Sequence, residues 1–82
     1  MENENFVLFK LLIKCLEDKT YSLLEIKQIG IKYYLIIHHQ TFSKTFINRF
    51  GKRKEYTHIW QITNWLEETF DIKKEELKIP KL

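Results

Sequence analysis

The sequence predicts an α+β domain of the order α-β-β-β-α, a three-stranded antiparallel sheet with two helices packed on one face. Three observations predict it. Apolar residues recur at helical spacing near both ends of the chain. The middle is dense in β-branched and aromatic residues, which favour strands. Gly30 interrupts that middle segment where a hairpin turn would lie. At 82 residues, the chain has room for a single domain, residues 1–82.

A first helix is predicted over residues 5–18, with Asn5 as its cap. Two apolar stripes lie side by side on it, so little of its circumference is polar, and such a helix is buried on more than one side. Burial of that kind is hard to arrange within 82 residues. The sequence therefore predicts either deep burial or a partner or homodimer face, whose candidate residues are Phe6, Phe9, Leu12 and Trp60.

Residues 21–28 allow two interpretations. As a helix, Ser22 and Glu25 would form a capping box and Gly30 would end it. As a strand, they would pair with residues 31–39, whose β-branched and aromatic side chains require a neighbouring strand. The second interpretation is favoured because it supplies that neighbour.

Residues 41–48 are equally ambiguous, since Phe42 and Phe46 fit either a helix or a strand. A third strand is favoured, because two strands alone are marginally stable. A basic loop at residues 51–55 follows, then a helix at 56–70 and a short turn or tail at 71–82.

Positive charge is concentrated in the middle of the chain. Residues 32–58 carry six Lys or Arg against one acid, for +5, whereas each flank carries four Lys against five acids, for −1. Cations beside stackable rings suit phosphates and exposed bases. They would also protect an edge strand from aggregation. The candidate binding residues are Lys44, Arg49, Lys52, Arg53, Lys54, Phe50 and Tyr56.

The sequence predicts no catalytic residue, metal site or cofactor. It contains no nucleophile motif, Gly-rich phosphate loop or zinc-ligand spacing. Ser22 and Ser43 have no evident base partner. His38 and His39 would point to opposite faces of a strand, where one could act as a base. The single cysteine, Cys15, lies in the most apolar stretch and is expected to be a small hydrophobic residue.

The predicted element order is similar, in architecture only, to that of double-stranded RNA-binding domains and HicA-type RNA-cleaving toxins. Gly51-Lys-Arg-Lys54 loosely resembles the Lys-rich start of the last helix in the first family. That family's loop with Gly and His between the first strands is missing here, and so is its small-residue final helix. In the second family a Gly-Ser pair precedes the catalytic His, whereas here Ile36-Ile37 precede His38.

Three functional hypotheses follow. The first is a small non-enzymatic protein whose basic strand and loop contact nucleic acid. The second is a protein-interaction module, an inhibitor or adaptor from a phage or other mobile element that acts on a nucleic-acid-handling protein. The third is an RNA-cleaving toxin that uses His38 or His39.

A cytoplasmic location without a membrane partner is expected. Residues 6–16 are apolar, but acids precede them, Lys10 and Lys14 interrupt them, and they are too few to span a bilayer. The one cysteine excludes an internal disulfide and fits a reducing compartment.

Overall fold

A computed structural model describes residues 4–80 of the chain. The α+β architecture is confirmed, but within these residues the sheet has four strands instead of the three predicted. Its strand order is β3-β2-β1-β4, and β4 runs parallel to β1, so the sheet is mixed. The elements in chain order are α1 (Glu4–Asp18), β1 (Leu23–Ile29), β2 (Lys32–His38), β3 (Ser43–Thr45), α2 (Ile59–Phe70), a 3₁₀ turn (Lys74–Glu76) and β4 (Leu77–Lys78).

The core lies between one face of the sheet and both helices. The antiparallel register sets Leu24 opposite Ile37 and Ile26 opposite Leu35, and all four side chains are buried. Because side chains alternate along a strand, the residues between them point to the other face. The helices contribute buried residues to the same cluster, namely Leu12, Leu16, Ile62 and Leu66.

The first helix buries one side deeply and exposes part of the other. Leu12 is fully buried in the core, so the prediction that it belongs to a partner face is wrong. Phe9 is partly buried, with its ring centroid 6.0 Å from that of Phe46. Val7 and Leu11 are the apolar residues that α1 exposes. The sheet therefore covers only one side of this apolar helix.

Residues 23–29 form a strand rather than the alternative helix. A two-residue turn joins Ile29 to Lys32, and Gly30 has a φ of +63° there. Positive φ is the reason that a glycine suits this turn. The hairpin interpretation of the sequence therefore agrees with the structure, although β1 begins at Leu23.

The third strand is shorter than the predicted 41–48, because other residues take over its place beside β2. Phe46 N donates to Leu35 O at 2.7 Å, and beyond that point the chain leaves the sheet. It returns at Tyr56, which exchanges two backbone hydrogen bonds of 2.8 and 3.0 Å with Tyr33. Tyr56 is therefore held in the sheet.

The second helix begins at Ile59 and not at the predicted residue 56. The Gln61 side chain fixes this start, because its Oε1 accepts hydrogen bonds from Thr57 N at 2.9 Å and His58 N at 3.1 Å. Tyr56 does fit the apolar periodicity of the helix in the sequence. Its backbone is hydrogen-bonded to Tyr33 instead, so Tyr56 lies outside the helix.

The C-terminal segment is part of the fold and not only a tail. Asp71 ends α2 in the left-handed conformation, and Ile72 N donates to Leu66 O at 3.2 Å, which turns the fully buried Ile72 into the core. The chain then pairs Leu77 with Leu24 along the edge of β1. Residues 81–82 of the predicted tail lie outside the described residues.

Replacing Ile72 tests this docking. Ile72→Ala is expected to lower the free energy of unfolding by about 2–5 kcal/mol, because it removes a fully buried side chain and leaves a cavity. The control Ile79→Ala, at a position 38 % exposed, should lose less than about 1 kcal/mol. Urea unfolding followed by tryptophan fluorescence measures both values. Equal losses in the two variants would contradict the docked tail.

Candidate functional site

Residues 48–54, named here the cationic loop, leave the sheet after β3 and return beside it. Asn48 N donates to Lys52 O at 2.8 Å, and Lys54 N donates to Phe46 O at 2.9 Å. Ile47 and Arg53 form an antiparallel bridge between these two bonds. Phe46 itself is buried and packs against Trp65 with the two rings tilted, their centroids 5.2 Å apart. The base of the loop is thus anchored in the core.

The Asn48 side chain fixes the inside of the loop. Its Oδ1 accepts hydrogen bonds from Phe50 N at 2.9 Å and Lys52 N at 3.1 Å. Gly51 has a φ of +87° and packs against the Asn5 side chain, where a Cβ would clash. The Asn5 side chain also donates a hydrogen bond from Nδ2 to Phe50 O at 3.4 Å. The loop is therefore tied to the start of α1 as well as to the sheet.

The loop presents four exposed cations, Arg49, Lys52, Arg53 and Lys54. Within residues 4–80, none of the four has a carboxylate at ion-pair distance. Three of them line an open cleft of about 450 Å³ together with Asn48 and Glu55. Among residues 4–80, Glu55 is the only acid that lines it, and it accepts a hydrogen bond from the Tyr34 hydroxyl at 3.3 Å. The described lining of the cleft therefore carries a net positive charge.

The two candidate stacking rings differ in availability. Phe50 is 72 % exposed and presents its ring to solvent. Tyr56 packs partly against the core, and this burial raises its pKa to about 12. Lys54 Nζ lies 5.7 Å from the Tyr56 ring centroid, and the Arg53 guanidinium lies 5.3 Å from that of Tyr34. Phe50 is thus the available ring, whereas Tyr34 and Tyr56 support the cations.

The structure does not gather every predicted site residue into one surface. Lys44 lies on β3 opposite Ile37, so its side chain leaves the sheet on the side of the helices. Arg53 instead covers Tyr34, which lies on the other face. Trp60 is in the first turn of α2, 58 % exposed and stacked on His58 at 5.8 Å. It is a separate candidate contact.

A second polar group lies on the open face of the sheet, the face turned away from both helices. His38 Nδ1 is 2.8 Å from Ser43 Oγ, and His38 Nε2 is 3.0 Å from Glu25 Oε1. The hydrogen bond from His38 holds the pKa of the Glu25 carboxyl below its usual range. Lys78 Nζ lies 3.9 Å from Glu25 Oε2 and extends the row to β4. Polar side chains thus cross all four strands.

No base partner for Ser43 is evident in the sequence, but the structure places the His38 ring within hydrogen-bond distance of it. Register explains the pairing: β3 runs antiparallel to β2 and sets Ser43 directly opposite His38. Glu25 comes from β1, where Leu23 is the residue opposite His38, so that Glu25 approaches diagonally. The alternation of Leu24 and Ile26 with Glu25 in the sequence indicates that Glu25 points away from the core. It does not identify His38 as the neighbour of Glu25, because that requires the register of the two strands. His39 does not join this group, since its ring stacks on Phe42 at 4.9 Å.

Two further observations concern metal binding and membrane crossing in the part of the chain that the structure describes. No three His, Cys, Asp or Glu side chains gather in residues 4–80 where they could hold a metal ion. No helix in the same range combines the length and the apolar character needed to cross a membrane.

Glycine substitutions test whether the loop conformation is fixed. Gly51→Ala should destabilise the protein by more than about 1–2 kcal/mol, because a positive φ and a clash with Asn5 add together. Gly30→Ala is the matched control: its φ is also positive, but a Cβ there meets nothing within 4 Å. Chemical unfolding of the two variants gives the comparison. If Gly51→Ala lowers the free energy of unfolding no more than Gly30→Ala does, the contact between the loop and α1 is not formed in solution.

No family model, curated protein or solved structure matches this chain. Neither a family nor a homologue therefore indicates a role for the cationic loop or the open face. The residues, distances and charges described above are the basis for inferring a function.

Proposed function

We propose that the protein binds single-stranded nucleic acid through the cationic loop. The observation that carries this proposal is the exposed ring of Phe50 on a loop with four cations that have no acidic partner among residues 4–80. Cations that track a phosphate backbone and an aromatic ring on which a base stacks are the two parts of single-strand recognition.

A fixed backbone supports this proposal. Binding costs free energy whenever a loop must be ordered, and a loop ordered beforehand avoids much of that cost. Asn48 and Gly51 hold the backbone of the cationic loop by hydrogen bonds and by contact with Asn5. The long cationic side chains remain exposed, so they can adjust to phosphates of different spacing.

Protection of an edge strand from aggregation explains these cations less well than nucleic-acid binding does. Such protection requires charge on the strand at the edge of the sheet. Of the predicted binding residues, only Lys44 lies on an edge strand of the sheet, β3. Arg49, Lys52, Arg53 and Lys54 all lie beyond it, in the cationic loop. The concentration of charge on the loop is therefore better explained by an anionic partner.

The exposed ring of Phe50 also favours single strands over duplexes. The bases of a duplex are already stacked on one another, whereas an unpaired base can lie on an exposed ring. Phe50 supplies that ring next to Arg49 and close in sequence to Lys52.

Salt dependence tests the electrostatic part. With about four phosphates neutralised, log Kd should change with log salt with a slope of about 3 in magnitude on a single-stranded oligonucleotide. The double variant Lys52→Gln, Arg53→Gln should bind more weakly and reduce that slope by about 1.4. Lys74→Gln, which removes one charge on the 3₁₀ turn, is the control and should leave the slope unchanged. Fluorescence anisotropy measures each Kd. No binding to RNA or DNA at about 50 mM salt would refute the proposal.

Replacement of Phe50 tests the stacking part separately. Phe50→Ala should weaken binding to single strands by about 5–150-fold, because base–aromatic stacking is worth about 1–3 kcal/mol. Its salt slope should stay the same, since no charge is lost. Phe50→Tyr retains a ring and should bind nearly as the wild type does. Wild-type affinity in Phe50→Ala would show that the ring does not stack on a base.

A protein partner is the second candidate function, and the exposure of Trp60 favours it. Large aromatic residues are frequent energetic centres of interfaces. The same anisotropy titrations distinguish the two candidates, because a protein-interaction module without a nucleic-acid site would give no signal with any oligonucleotide. Trp60→Ala would then lose the partner, and the loop variants would retain it.

A further inference from the structure

We propose that Ser43, His38 and Glu25 form a nucleophilic site that cleaves a phosphodiester of the bound strand. The inference rests on the proposed function for its substrate, since the cationic loop would deliver the strand. It goes beyond that function because it assigns a reaction to the open face of the sheet.

The three side chains are connected in the order that a nucleophile requires. Ser43 Oγ lies 2.8 Å from His38 Nδ1, and Glu25 Oε1 lies 3.0 Å from His38 Nε2. A hydroxyl, a base within hydrogen-bond distance and a third group that orients the base are the signature of an activated nucleophile. The three come from adjacent strands, so the sheet itself sets their geometry.

The protonation states follow from the partners. An ionised carboxylate can only accept a hydrogen bond, so Nε2 of His38 carries a proton and donates a hydrogen bond to Glu25. In the neutral imidazole this leaves Nδ1 as the acceptor, and the Ser43 hydroxyl donates to it. Glu25 thereby selects the tautomer of His38 that can take the serine proton. Glu25 is a positioning residue in this site, and Ser43 is the group that would attack.

Ser43 is open to a substrate. It is exposed on β3, an edge strand of the sheet. The hydrogen bonds from His39 N to Phe42 O and from Phe46 N to Leu35 O fix the alternation of the ladder, so that Ser43 N–H points away from β2 toward the free edge. A backbone N–H beside the nucleophile is suited to receive the charge that develops on a phosphoryl oxygen.

The open face also connects this site to the cationic loop. Tyr34 and His38 point to the same face of β2, four residues or about 13 Å apart. The Arg53 guanidinium lies over the Tyr34 ring. A strand held by the loop at Arg53 therefore needs to extend about that distance to bring a phosphate to Ser43. Lys27 and Lys78 add positive charge on the same face near Glu25.

The reaction is balanced without a metal or a redox partner. His38 Nδ1 takes the proton of Ser43 as Oγ bonds to phosphorus. The bond from phosphorus to the leaving ester oxygen breaks, and the imidazolium returns its proton to that oxygen. Water then attacks the phosphoserine diester, His38 accepts a proton from the water, and Ser43 Oγ leaves and takes that proton. The products are two oligonucleotide ends and the original enzyme.

The chosen substrate separates this mechanism from one that uses a 2′-hydroxyl of RNA. A 5′-labelled single-stranded DNA lacks that hydroxyl and can be cut only by an external nucleophile. Wild-type protein is expected to cut it, as seen on a denaturing gel. Ser43→Ala should cut at least about 100-fold more slowly. The control is Ser22→Ala, because Ser22 is the chain's other serine. Its hydroxyl donates to the backbone oxygen of His38, at 3.0 Å, and not to the imidazole ring.

Glu25→Gln separates positioning from stability. It should not weaken DNA binding but should slow cleavage, because a side-chain amide can donate as well as accept and no longer selects the tautomer of His38 that accepts the Ser43 proton. Circular dichroism and anisotropy on every variant verify fold and binding. A Ser43-linked oligonucleotide in the intact mass of wild-type protein would support the site directly.

The outcomes are distinct. If the wild-type protein binds DNA but leaves it intact, the inference is overturned and the proposed function stands. Cleavage of RNA alone, retained in Ser43→Ala, would also overturn it, since the nucleophile would then be the 2′-hydroxyl. If no oligonucleotide binds at all, the proposed function fails first and the inference fails with it.

Discussion

The register of the β1–β2 hairpin is the constraint on which both candidate surfaces depend. Leu24 and Ile26 must face the helices together with Leu35 and Ile37, because these four side chains are the centre of the core. A slip of one residue would turn them to solvent, so burial specifies the register strongly. The residues between them are then forced onto the open face. The close approach of Glu25 and His38 is therefore a consequence of core packing, to which their own hydrogen bond adds.

The cationic loop is tied to the same hairpin through Phe46, whose N–H donates to Leu35 O on β2. Phe46 is buried just before the loop, and it packs against both helices through Phe9 and Trp65. Its carbonyl accepts the hydrogen bond from Lys54 N, so the loop closes on a residue that cannot move without disturbing the core. Polar contacts from Asn48 and Asn5 then determine the path between. The loop can thus hold like charges close together, because packing elsewhere stabilises its backbone.

The two surfaces meet because the chain crosses from β3 into the loop and returns to the sheet at Tyr56. This path lays Arg53 and Glu55 over Tyr34 on the open face, within one strand length of His38. It also leaves β3 as an edge strand, which keeps Ser43 accessible. The opposite edge is shielded where β4 pairs with β1. Binding of an extended anionic strand and reaction at Ser43 would therefore use one continuous side of the molecule.

The sequence by itself determined the α+β class, both helices and the position of the positive charge, and it favoured the strand–turn–strand around Gly30 over a helix. Each of these rests on local patterns: periodicity, β-branched content and net charge within a short window. It indicated Arg49, Lys52, Arg53 and Lys54 as candidates for the same reason.

Only the tertiary structure decided the rest. Leu12 faces the core instead of a partner, Trp60 is exposed, and Tyr56 pairs with Tyr33 instead of starting a helix. β4 joins the sheet through only two residues, too few to leave a pattern. The contact between Ser43 and Glu25 through His38 joins residues from three strands, so it depends on register, which no single segment encodes.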